Sequence, residues 1–219
     1  MLSRVHKWWR ATVTTYLHNQ HMLDHSLWSY GTVSIGDRPE DNPIQLSRFP
    51  GLDTEITDFL AHAPYRCDDL TAEQHNQHDQ LVRSHYEDSY CHLVMETLYD
   101  ADGSGGTFLT EKTFKPICMR MPFVLAGTQH SLRYLHSYGF RTFGDIWDES
   151  YDDEPNDVLR MERIASLLRS LDELPQSAKQ DLFWACQEVV EHNHRHFYQG
   201  AFENILWQEL TDMLEHMGV

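Results

Sequence analysis

Apolar positions recur at helical spacing over several long stretches of the chain and cluster into short runs elsewhere. Val5, Trp9, Val13, Tyr16, Leu17 and Leu23 predict a helix over Arg4 to Leu27. From Ser29 to Pro50 the pattern breaks up around Gly31, Gly36, Pro39 and Pro43, which predicts loop with one short strand at Thr32 to Ile35. A short helix is expected over Leu52 to Ala63, then a polar, histidine-rich stretch from Ala72 to Tyr86. Cys91 to Tyr99 is an apolar run of strand length, which periodicity alone does not separate from buried helix. Asp100 to Gly106 reads as a turn, followed by a helix opening at Glu111, a strand at Pro122 to Ala126 and a helix from Ser131 to Tyr138 closed by Gly139. That order of elements predicts one parallel α/β unit.

Past an acidic loop at Asp148 to Asp157 the pattern becomes helical throughout. Val158, Leu159, Met161, Ile164, Leu167, Leu168 and Leu171 mark one amphipathic helix, and Gln180 to His196 and Ala201 to Met217 mark two more. The expected class is α/β, a small parallel sheet with flanking helices over residues 1–157 and a helical C-terminal extension over 158–219 packed on it.

Charge narrows the function classes. With 17 basic against 34 acidic residues, the net charge of −17 argues against a sequence-independent nucleic-acid binder. The four cysteines, Cys67, Cys91, Cys118 and Cys186, include no C-x-x-C pair, so they read as reduced thiols rather than a zinc ribbon or a redox motif. No apolar run reaches the roughly 18 residues that span a bilayer, and the first residues lack an apolar signal core. These features predict a soluble cytoplasmic protein.

Candidate chemistry centres on Thr107 to Ile117. Thr110 is placed to N-cap the helix that follows, and Glu111 and Lys112 then sit at a helix N-terminus, where unpaired N–H groups and the dipole favour an anion. Glu96 and Thr97 lie at the end of the preceding strand, on the edge where parallel α/β units form their ligand crevice. A carboxylate there can accept from ribose hydroxyls, and a lysine can neutralise a diphosphate. Ordinary first-turn residues on a solvated helix would look the same.

A second pattern overlaps the first. Asp100, Asp102, Ser104 and Glu111, with Gly105 at the sixth position, follow the outline of an EF-hand calcium loop. The eighth position, normally apolar, is Thr107, and there is no partner loop. Asp100-Ala-Asp102 also fits the short Asp-x-Asp of metal-dependent sugar transferases. His192 and His196, and likewise His18, His21 and His25, have spacings that can bind a transition metal on a helix but more often mark a solvated face.

Phe108 to Ile117, Pro122 to Gly127, Leu132, Leu135, Gly139-Phe140, Thr142-Phe143 and Trp147 to Asp152 together resemble a family of phage and environmental proteins. That family looks like the C-terminal, nucleotide-sugar-binding half of GT-B glycosyltransferases, most like the fucosyltransferase type. The resemblance spans about Arg4 to Ile164 and is densest from Glu96 to Asp152. It implies a Rossmann-like fold and a nucleotide-diphosphate sugar as donor, with no required metal or other cofactor. Glu111 would then meet the ribose and Lys112 the phosphates, with Arg4 or Lys7 as a second phosphate contact. If phage-encoded, the protein would work in the host cytoplasm. GT-B enzymes carry the acceptor and usually the catalytic base on a first domain. A partner chain or homo-oligomer completing the site, or binding without catalysis, would follow from its absence. The acceptor and the catalytic base are not named by these residues.

Overall fold

The computed structural model describes residues 2–5, 7–33, 52–67, 81–99 and 106–217. Among them the protein is a mixed α/β fold, mostly helical, with two separate pairs of parallel strands. The first pair is β1 (Leu2–Val5) and β2 (Ser29–Val33), joined through α1 (Trp8–Asn19). Leu2 lies opposite Ser29 and Val5 opposite Val33, with an irregularity between Ser3 and Val5. The expected helix from Arg4 to Leu27 is therefore shorter at both ends. Its first residues pair as a strand, which local periodicity does not register because the partner lies more than twenty positions away.

The second pair is β3 (His92–Met95) and β4 (Phe123–Ala126), in unbroken parallel register from His92–Phe123 to Met95–Ala126. Between them runs α4 (Glu111–Cys118), and α5 (Ser131–Ser137) follows β4. This is the parallel β–α–β unit that the sequence predicts. All four residues of β4 are buried, as is usual for parallel strands covered on both faces.

Helix α1 is the centre of the core. Every side chain from Trp9 to Thr15 is buried, Thr12, Thr14 and Thr15 included, and the Thr14 hydroxyl donates to the Arg10 carbonyl at 2.7 Å. A helix lined by small and apolar groups on all sides suits such full enclosure. Helix α2 (Asp53–His62) packs on α1, burying Ile56 and Phe59, and the short α3 (Ser84–Glu87) precedes β3.

The C-terminal helices are α6 (Asp157–Asp172), α7 (Gln176–Ala185), α8 (Gln187–Tyr198) and α9 (Ala201–Met217). α6 packs against both α1 and β4, so Met161 and Ile164 belong to the same core as Trp9 and Val124. The single helix expected over Gln180 to His196 is two helices that meet at the buried Cys186. The apolar spacing misleads at one place in α6. Leu159 is 46% exposed, whereas Arg160 is 1% exposed and faces inward.

α8 closes the end of α5. The Nε2 atoms of His192 and His196 meet the carbonyls of Gly139 (3.0 Å) and Tyr138 (2.5 Å), groups that a helix C-terminus leaves unpaired. Gly139 has φ +86°, and a Cβ there would lie 2.7 Å from His196 Cε1. Gly139→Ala is accordingly expected to cost about 2 kcal/mol from the left-handed backbone and the contact combined. A urea midpoint within error of wild type would rule that out.

Candidate functional site

Glu96 follows the last residue of β3 and is 1% exposed. Its Oε1 accepts from the Thr110 N–H at 2.9 Å and the Thr113 hydroxyl at 2.6 Å. Its Oε2 accepts from the Thr110 hydroxyl at 2.6 Å and the Thr97 N–H at 3.1 Å. Thr110 and Thr113 are three apart, which sets both hydroxyls on one side of the α4 start. The anion that the α4 N-terminus favours is thus supplied from within the chain. All four of these contacts go to the protein's own donors, so Glu96 anchors α4 to β3 and ribose hydroxyls would have to displace them.

Arg10 of α1 lies behind this junction. Its Nη2 donates to the carbonyls of Glu96 (2.7 Å) and Met95 (3.2 Å). Burial pulls the guanidinium down to about 10, while the negative charge of Glu96 and, to a smaller extent, Glu111 opposes the shift. Trp9, one residue earlier, stacks on Tyr99 with centroids 4.7 Å apart. The guanidinium of Arg160 lies over the Tyr99 ring at 4.5 Å. Arg10 and Arg160 both escaped the sequence reading. Arg10 sits within the apolar stretch of α1 and so carried a local signal, whereas Arg160 is one of several charged residues of α6 and carried none.

Thr110 occupies the N-cap position of α4, its side chain accepting from the Lys112 N–H at 3.4 Å. The Lys112 side chain is 32% exposed. Its Nζ lies 2.9 Å from Glu111 Oε1, 3.3 Å from the Thr110 hydroxyl and 3.4 Å from the Thr97 hydroxyl. Glu96, Thr97, Thr110, Glu111 and Lys112 are therefore one cluster at the C-terminal edge of the β3–β4 pair. Lys7 is half-buried at the N-cap position of α1. Arg4 lends its backbone to β1, and its side chain lies outside the described residues. Of the calcium-loop residues, Asp100, Asp102 and Ser104 also lie outside them, and Glu111 faces Lys112.

The acidic segment from Trp147 to Asp152 serves the fold. Asp152 caps α5, accepting from the N–H groups of Leu132 (3.0 Å) and Arg133 (3.2 Å). Burial raises its carboxyl above the usual range, and these two bonds oppose the shift. Glu149 accepts from the Phe143 N–H at 3.0 Å. His18, His21 and His25 do not share a helical face, because α1 ends at Asn19 and His21 turns at φ 58°. Among the described residues no group of three or more His, Cys, Asp or Glu is arranged to hold a metal ion. None of the four cysteines is in a disulfide, and burial pushes the Cys91 and Cys186 thiols up to about 12.

A cavity of about 550 Å³ opens at the other end of β3, beside Cys91 and His92, with Leu17, Leu23, Leu168 and Leu182 in its wall. It shares no residue with the Glu96–Lys112 cluster. No helix among the described residues is long and apolar enough to cross a membrane. Comparison with protein-family models, curated proteins and solved structures gave no match.

Proposed function

We propose that the chain is a glycosyltransferase-like protein that binds a nucleotide-diphosphate sugar at the C-terminal edge of β3 and β4, in a Rossmann-like half of a GT-B arrangement. The observation that carries this reading is the Lys112 ammonium, partly exposed at the N-terminus of α4 and steadied by Thr97, Thr110 and Glu111. A fixed cation at the end of parallel strands suits the charge that builds on a departing diphosphate. Glu111, beside it, is the acceptor for ribose hydroxyls. Arg4 and Lys7 at the start of the chain are the candidates for a second phosphate contact.

The test is thermal stability with GDP, UDP and ADP in separate samples, because a ligand selective for the native state raises its melting point. One nucleoside diphosphate is expected to stabilise the protein and so name the donor class. Lys112→Ala should weaken that nucleotide about ten-fold or more, which corresponds to a lost contact of roughly 1.4 kcal/mol, with little change in the melting point of the unliganded chain. Equal affinity in the variant removes the phosphate role.

A second reading has its own observation. The Glu111–Lys112 pair and the inward-facing Glu96 also describe a strand-to-helix joint with no ligand, as in a non-catalytic structural or binding protein. Intact nucleotide binding without release of the diphosphate from any donor sugar would favour it. Calcium in a further sample tests the Asp100–Glu111 loop.

A further inference from the structure

Helix α9 is the least covered element among the described residues. Its start is anchored: Phe202 lies 5.1 Å from Phe140 and 5.3 Å from Phe114, centroid to centroid. Glu209 accepts from the Tyr138 hydroxyl at 3.1 Å. From Leu206 to Met217 every residue is nonetheless exposed. Six of them are large and apolar: Leu206, Trp207, Leu210, Met213, Leu214 and Met217, at 38–68% exposure. Three helical turns with no buried side chain are marginal in water on their own.

The exposed apolar positions have a register. Leu206, Leu210, Met213 and Met217 repeat at spacings of four, three and four, the seam of a helix that packs against another helix. Trp207 and Leu214 flank that seam on one side, and Glu209 and His216 flank it on the other. Gln208, Thr211, Asp212 and Glu215 fall outside it.

We propose that this seam is a self-association surface on which α9 packs antiparallel against α9 of a second copy of the chain. In that arrangement Leu206 faces Met217 of the other copy and Leu210 faces Met213. Trp207 meets Leu214 along one flank, and the Glu209 carboxylate meets the His216 imidazole along the other, an acid opposite a base. All six exposed apolar side chains are covered, and the remaining acids stay in water. A parallel pair would set Glu209 against Leu214 and lose this match. The composition of α9, four acids and no Lys or Arg, fits neither a helix lying on an anionic lipid surface nor one steered to it. Two-fold pairing of one patch with itself is the commonest way soluble chains assemble. The inference does not depend on the nucleotide-sugar reading, because the seam lies on a different element from Lys112.

Sedimentation equilibrium of the full chain through the micromolar range tests it. Wild type is expected to be a dimer. Leu210→Asp, at the central layer, should weaken association about ten-fold or more while leaving the far-ultraviolet spectrum of the fold intact. Orientation is read from Leu206→Cys chains mixed with Met217→Cys chains. A disulfide between positions 206 and 217 should form on mixing, with the native cysteines excluded by peptide mapping. Leu206→Cys alone should not cross-link, since its two copies would sit about 16 Å apart along the pair. A monomeric wild type overturns the proposal, including one that binds phosphatidylcholine vesicles through α9 instead. So does a dimer that survives Leu210→Asp, or a 206–206 cross-link.

Discussion

Glu96→Ala is expected to destabilise the protein by about 3–5 kcal/mol, the range for removing one member of a buried charged network. The substitution takes the acceptor away from the Thr97 and Thr110 N–H groups and from two threonine hydroxyls at once. It also leaves the buried Arg10 beside a site that has lost its negative charge. For a domain of this size each kcal/mol moves the melting point by roughly 2–4 °C, so a drop of about 6–20 °C is expected. Glu96→Gln should recover only part of the loss, because one of its amide protons would point at donors. Urea unfolding of the three chains decides the matter. If Glu96→Gln keeps wild-type stability but abolishes nucleotide affinity, the carboxylate serves ligand rather than fold, and the anchoring role is wrong.

Arg160→Met should cost about 2–4 kcal/mol. The guanidinium donates to the buried Tyr99 carbonyl at 2.5 Å and to the Glu154 carbonyl at 2.8 Å. Methionine fills much of the space but strands both acceptors, and a buried group left without its bond costs about 1–3 kcal/mol. It also removes the cation from the face of Tyr99, whose phenol is already pushed up by burial. Arg160→Lys is expected to rescue less than half, since a single ammonium does not span two carbonyls as a planar fork does. Wild-type unfolding midpoints for Arg160→Met would show that Trp9, Tyr99 and α6 hold together by apolar contact alone. Because Tyr99 lies three residues beyond Glu96, the same variant is also expected to loosen the Glu96–Thr110 junction. Faster amide exchange at Thr97 and Thr110 would report it.

Much of the β3–α4–β4 unit was readable from local signals. Thr110 before Glu111 marked a helix start, and the run Pro122 to Ala126 marked the strand that forms over Phe123–Ala126. The cluster of Thr110, Glu111 and Lys112 followed, because residues adjacent in sequence at a helix N-terminus are adjacent in space. What the local pattern could not convey was partner choice. Glu96 and Thr113 are seventeen positions apart, and nothing in either residue announces that the carboxylate is spent on the threonine. The same holds for Arg4 and Val5, which read as the start of a helix until Ser29–Val33 offers them a parallel edge as part of β1. Hydrophobic spacing also favoured Leu159 over Arg160, since periodicity scores apolarity and has no means of crediting a buried cation with a ring and two carbonyls to receive it.

By itself the sequence determined the order of strand, helix, strand and helix from Cys91 to Tyr138, the helical character of the chain beyond Asp157, and which short segment collects the polar chemistry. Those properties depend on backbone preference and side-chain period, which act over one or two turns. Tertiary structure alone decided which charged groups face inward. Burying Arg10, Glu96 or Arg160 is favourable only when distant donors and acceptors arrive together, and that arrival is a property of the packed fold. It also decided which apolar faces stay open. The stripes on α6 and α9 look alike in sequence, yet α6 lies against α1 and β4 while α9 from Leu206 to Met217 buries no side chain and touches its own chain through the Glu209–Tyr138 hydrogen bond.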